Sequence, residues 1–190
     1  MNPWRTCLLD PPWPERGGGK IKRGADKHYP LLPCADMPAV ILGSGAWTPA
    51  EAAHVYMWTT NNYLPQALQL LDALGVRYVT NVCWIKDRVG LGQYFRGQHE
   101  LLLFGVIGRG IDVRTPARNI GSVVDVFDTG YVRAARTRHS AKPEIFHELI
   151  ESRSQGPYQE MFARTARAGW RAWGNEQLQR SDHDERQCAK

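Results

Sequence analysis

Paired cysteines are missing from this chain. Its four, Cys7, Cys34, Cys83 and Cys188, stand far apart and form no CxxC pair. That spacing excludes a disulfide framework and a zinc knuckle alike. The stretch HELLL at His99–Leu103 lacks the second histidine of a zincin helix, so no metal site is expected. No apolar run approaches the roughly 20 residues that cross a bilayer, and no membrane association is expected. The start, MNPWRTCLLDPPW, has no basic segment followed by a long apolar core. No secretory leader is therefore expected, and a cytoplasmic location is the default. Acidic side chains are the scarcer sign: 19 Asp and Glu against 24 Lys and Arg give a net charge of +5. A basic balance suits phosphate-rich partners without establishing one.

What is present fits a single domain. The 190 residues are 43% apolar and 23% charged, ordinary values for a globular chain with a sizeable core. Strand-like runs fall at Thr6–Leu9, His54–Thr59, Tyr78–Ile85, Leu101–Val106, Val123–Val126 and Glu160–Phe162. Between them, Tyr63–Leu74 carries Leu64, Leu68, Leu70, Leu71 and Leu74 at helical spacing, with Gly75 to stop it. Pro143–Glu151 repeats the pattern with Ile145, Leu149 and Ile150 on one face. Strands separated by helices predict an α/β fold with a mostly parallel sheet. Three stretches have no periodicity: Pro14–Asp36, Asp87–Gly97 and Gly108–Ile120, all basic. The domain is expected over residues 1–178, and the charged tail 179–190 is expected to be disordered.

The chemistry begins where the first strand stops. In CLLDPPWPERGGGK (Cys7–Lys20), two consecutive prolines forbid a helix and fix a stiff turn after Asp10. In an open α/β sheet that turn lies at the carboxyl edge, where ligands bind. The Asp10 carboxylate and the Pro11 carbonyl are both acceptors only. Their complement is a group with two donors on one nitrogen, an –NH2, and a planar base bearing it stacks on Trp13. The exocyclic amine of adenine or cytosine is a poor nucleophile because its lone pair is delocalised into the ring. Two acceptors that hold its protons aim that lone pair at an electrophile, a gain in orientation and electrostatics. The electrophile that suits this edge is the methyl group of S-adenosylmethionine (SAM).

DPPW, followed by HYPLL at His28–Leu32, resembles the MT-A70 family of adenine N6-methyltransferases. The resemblance continues in MWTTN (Met57–Asn61), WIK (Trp84–Lys86) and GLGQYFRGQHELLLFG (Gly90–Gly105). It resumes in RHSAKPEIFHELIE (Arg138–Glu151) and EMFARTARAGWRAWGNE (Glu160–Glu176), in the family's order and over nearly the whole chain except its tail. It implies a single Rossmann-like domain in circularly permuted order, the amine-orienting motif before the cofactor motif. Asp10, Pro11, Pro12 and Trp13 are then the catalytic set. Phe162 lines the adenosine pocket and Arg164 meets the nucleoside. Asn175 and Glu176 take the ribose, and Lys142 stands near the methionine carboxylate. His28, Tyr29, Arg96, His99 and Glu100 surround the target base. Lys20, Lys22, Arg23 and Lys27 form a rim for phosphates. The glycine-rich basic loop 14–27 has no match in the family pattern.

The expected function is SAM-dependent N6-methylation of adenine in nucleic acid, DNA favoured over RNA, by a chain alone, as a homodimer or with a partner subunit. The alternative is a non-catalytic nucleic-acid-binding subunit that supports an active partner. Retention of Asp10, Trp13, Asn175 and Glu176 weighs against it. A methyltransferase for a free nucleotide or small amine is a third reading, disfavoured by the positive charge.

Overall fold

The apolar run that opens the chain is continuous rather than alternating, the pattern of a strand covered on both faces. A computed structural model shows it so, and describes residues 2–14, 32–90, 94–109, 131–135 and 142–174. Strand β1 (Trp4–Leu9) buries Trp4 and every residue from Thr6 to Leu9. Helix α1 (Met37–Gly43) leads to β2 (Pro49–Thr59), which pairs parallel with β1. A 3₁₀ turn at Asn61–Tyr63 opens α2 (Leu64–Ala73), and β3 (Arg77–Lys86) and β4 (His99–Ile107) follow. The described chain closes with β5 (Tyr131–Ala134), α3 (Ile145–Arg153), β6 (Tyr158–Met161) and β7 (Trp170–Trp173).

These strands form one seven-stranded sheet in the order β5-β3-β4-β2-β1-β6-β7. Every neighbouring pair is parallel except the two that β4 makes, with β2 and with β3. The first strand thus lies between β2 and the late strand β6. Among the described residues no helix is long and apolar enough to cross a membrane.

Side-chain alternation sorts the core into two layers. Cys7, Leu9, Val55, Met57 and Leu103 face α1 and α2, where Met37, Ile41, Ala67, Leu70 and Leu71 meet them. Leu8, Tyr56, Trp58 and Leu102 face α3, which supplies Phe146, Leu149 and Ile150. Helices therefore cover both faces.

The expected strands all occur except Val123–Val126, which lies outside the described residues, as does the tail 179–190. Two short strands, β5 and β7, and helix α1 were not foreseen. In α2, Leu68 is exposed and Ala67 takes its place in the core.

Candidate active site

The DPPW turn is held at four points. The Asp10 N–H donates to the Met161 carbonyl (3.2 Å), the last rung between β1 and the end of β6. The Trp13 backbone N–H donates back to the Pro11 carbonyl (2.8 Å), closing the turn on itself. The Trp13 indole Nε1 donates to the Trp58 carbonyl at 2.9 Å. Tyr63 stacks on Trp13 (centroids 5.7 Å apart, planes at 15°), and its hydroxyl donates to the Pro14 carbonyl at 2.6 Å. Trp13 is consequently only 7% exposed and belongs to the core. The structure places it as the anchor of the turn, with one ring face already covered. A carbonyl oxygen has two lone pairs, so Pro11 keeps one acceptor direction.

Strand β4 runs against its neighbours and so starts where they end. Its second residue, Glu100, arrives at the carboxyl edge beside Asp10. Lys142, just before α3, joins them: its Nζ lies 2.8 Å from Asp10 Oδ1 and 3.5 Å from Glu100 Oε2. Lys86, the last residue of β3, completes the cluster with Nζ 2.5 Å from Glu100 Oε1. The four side chains are only 12–19% exposed. Burial works against the charge on Lys142, but Asp10 and Glu100 outweigh it and hold its ammonium above the usual lysine range. Burial likewise pushes the Glu100 carboxyl up, but Lys142 and Lys86 win and hold it below the usual range. Each lysine also lies over an indole, Lys142 5.4 Å from the Trp58 ring and Lys86 5.1 Å from Trp84. The outcome is a balanced set of two anions and two cations. Asp10 is fixed through one oxygen, and its other oxygen has no ion pair among the described residues.

The cofactor side begins at the next strand end. Phe162 follows β6 directly, half-buried, edge-on to Trp173 at 5.3 Å, with φ of 63°. A phenylalanine in the left-handed region is held there at a cost, and such positions cluster at functional sites. Gly174 explains how the chain is pinned: a Cβ there would stand 2.4 Å from the Ala163 carbonyl oxygen and 2.8 Å from its nitrogen. Arg164 is close enough to Lys142 for their charges to repel. At the end of β2, the buried Thr60 Oγ1 and Trp58 Nε1 have no hydrogen-bond partner among the described residues.

Of the expected site residues, Asp10, Glu100 and Lys142 are brought into direct contact. Pro11 is buried, Pro12 half-buried. His99 and Arg96 are exposed, and Arg96 donates from Nε to the Gly90 carbonyl within its own loop (3.1 Å). His28, Tyr29, Asn175, Glu176 and the basic residues Lys20, Lys22, Arg23 and Lys27 lie outside the described residues. Lys86, Tyr63 and Trp58 were not singled out. Lys86 lies in WIK and Trp58 in MWTTN, but a strand-end lysine carries no signal until the reversed strand puts Glu100 against it.

A mostly parallel sheet with a proline-stiffened acidic turn at the carboxyl end of its first strand is the frame of a known family. The chain matches the MT-A70 family over residues 4–176 and belongs to it. Among curated relatives it is similar to the N6-methyladenosine RNA methyltransferase MTA1 of Pyricularia oryzae, 28% identical over 198 residues. The match covers 92% of this chain and 47% of that protein, so the chain spans about half the length of this relative.

Proposed function

We propose that this chain transfers a methyl group from SAM to the N6 amine of adenine in nucleic acid. The observation that carries the proposal is Asp10, pinned through Oδ1 by the part-buried Lys142 at the end of β1, beside the rigid Pro11 carbonyl. One carboxylate oxygen and one carbonyl lone pair then face an amine with two protons to give. Their hold on those protons turns the nitrogen lone pair outward, and orientation of this kind is worth up to roughly 7–11 kcal/mol. Pro12 supports the edge of the base, while Trp13, locked by Trp58 and Tyr63, keeps the two acceptors in place.

The residues suit the cofactor. At the end of β6 stand Phe162, with its positive φ, and Ala163, whose backbone a Cβ on Gly174 would meet; at the end of β2 the Thr60 hydroxyl has no partner among the described residues and could donate. Phe162, Arg164, Asn175 and Glu176 would hold the nucleoside, and Lys142 the methionine carboxylate. When bound, SAM supplies an electrophilic methyl on a sulfonium. Asp10, at the same strand end, would be an anion available to that positive charge.

The polymer is the finer part of the proposal. The net charge of +5 suits either nucleic acid, and the Pyricularia relative is named for RNA, so DNA and RNA both enter the test. Purified protein with labelled SAM is offered duplex DNA, single-stranded DNA and structured RNA, and the products are digested to nucleosides and identified by mass. N6-methyladenine from one pool, lost in Asp10→Ala, is the expected result. SAM binding with no product in any pool would instead favour a non-catalytic subunit.

A further inference from the structure

Two aromatic rings stand in water with no core to serve. Tyr94 and Phe95 are 103% and 89% exposed, consecutive, and on the loop that joins β3 to β4. Singly exposed apolar residues are ordinary, but a contiguous exposed aromatic pair marks an interaction site. The described residues on either side of the loop continue the pairing of β3 and β4. Lys86 N–H donates to the Gln98 carbonyl (2.8 Å), Gln98 Nε2 to the Lys86 carbonyl (3.1 Å), and Gly90 N–H to the Gly97 carbonyl (2.6 Å). Tyr94 is held with φ of 58°, a conformation that costs a non-glycine residue.

The root of this hairpin is the active site itself. Lys86 and Glu100, which brace Lys142 and Asp10, are the residues from which the two arms leave. Tyr94 is six residues from Glu100, a reach of at most ~20 Å at ~3.3 Å per residue. At the ~3.4 Å per nucleotide of a stacked strand, that is at most about six positions from the target base, and fewer where the strand is unstacked and extended. Arg96 follows the rings directly in sequence, and Arg88, on the arm that leaves β3, is 79% exposed with Nε 3.6 Å from Asp87 Oδ2. Flat rings interleaved with cations fit alternating bases and phosphates better than they fit a protein partner.

On the reading that the chain acts on nucleic acid, we propose that Tyr94 and Phe95 form a stacking wedge. It receives unstacked bases within about six nucleotides of the target adenine, while Arg88 and Arg96 meet the intervening phosphates. The wedge holds the strand open beside the amine-orienting turn, so that an adenine is presented unpaired.

The test reads binding, not turnover. Oligo-dT and oligo-U strands with one adenine carry 2-aminopurine at successive offsets, and its fluorescence is quenched where it stacks. Wild-type protein should quench at offsets within about six nucleotides. Tyr94→Ser with Phe95→Ser should abolish that quenching and weaken binding roughly 5- to 100-fold. SAM affinity should not move, and Phe95→Tyr should restore the quenching. Unchanged quenching and affinity in the double variant overturn the wedge. So does a wild-type dimer that becomes monomeric in the double variant, because a second copy would then be what covers the rings. Quenching without methyl transfer in any pool leaves the wedge standing and sinks the proposed activity; methyl transfer with no quenching does the reverse.

Discussion

Asp10, the residue on which the proposed chemistry rests, does not stand alone, and its surroundings decide how a substitution reads out. Asp10→Ala removes the proposed acceptor for the amine and leaves Lys142 with Glu100 as its remaining carboxylate. We expect methyl transfer to fall by at least 100-fold in a radiolabel assay. Unfolding should be easier by about 1–3 kcal/mol, the cost of stranding a part-buried charge. Survival of activity would remove Asp10 from the mechanism. Glu100 offers a separate test through pH. Its carboxyl titrates below the usual range in the fold, so its stabilisation is complete above the unfolded value of ~4.3 and is lost as pH falls through the lower folded value. Lys142 is the mirror image: its contribution is complete below ~10.4 and is lost as pH rises through its raised folded value. Glu100→Gln should therefore lower the urea midpoint at neutral pH and flatten the acid side of the stability curve. An acid side identical to wild type would assign it to other carboxylates. At this scale the sequence showed Asp10 clearly, because two prolines in a row leave a strand-end acid only one local geometry. It showed Glu100 and Lys142 only through the resemblance, and Lys86 not at all, since each becomes meaningful through a partner 14 to 132 residues away.

Elements hold the acid still. The turn after β1 hangs on the Trp13 indole N–H, which reaches the end of β2, and on Tyr63 at the start of α2. Trp13→Phe keeps an aromatic ring on Tyr63 but deletes that donor and leaves the Trp58 carbonyl short of a partner. The expected loss is about 1–2 kcal/mol of stability and a larger loss of kcat than of SAM affinity, because the proposed acceptors drift while the proposed cofactor site at the end of β6 is untouched. Equal losses in both would mean that the turn and that site move as one. Strands β1 to β4 were legible because they are long apolar runs that tertiary pairing only lengthened, as β2 was back to Pro49 through its partner Trp4. Strands β5 (YVRA) and β7 (WRAW) were not, since four residues with an arginine carry little propensity and only their neighbours β3 and β6 make them strands. Helix α1 (MPAVILG) is a short apolar run of the kind that periodicity cannot assign to helix or strand.

Across the whole molecule, one reversed strand separates function from support. Because β4 alone among the described strands runs the other way, its first residues join the active edge and its last meet the opposite edge. There Gly108 turns the chain past β2 with φ of +65°, where a Cβ would stand 2.1 Å from the Glu51 carbonyl oxygen. At the carboxyl edge, a Cβ on Gly174 would stand 2.4 Å from the Ala163 carbonyl oxygen, and the next residues in sequence are Asn175 and Glu176. An alanine at either site meets rigid backbone, so both Gly108→Ala and Gly174→Ala should lower the melting temperature, each by a strain of about 1–3 kcal/mol. Their effects on the cofactor should part. Gly174→Ala displaces the segment proposed to carry the ribose ligands and should weaken SAM binding about tenfold or more by calorimetry. Gly108→Ala leaves SAM affinity per folded molecule unchanged, since the strain is stored at the far end of the sheet. Equal affinities in the two variants would show that Gly174 does not position the ribose pair. A loss in both would show that strain crosses the sheet, and that the two edges do not behave as separate parts.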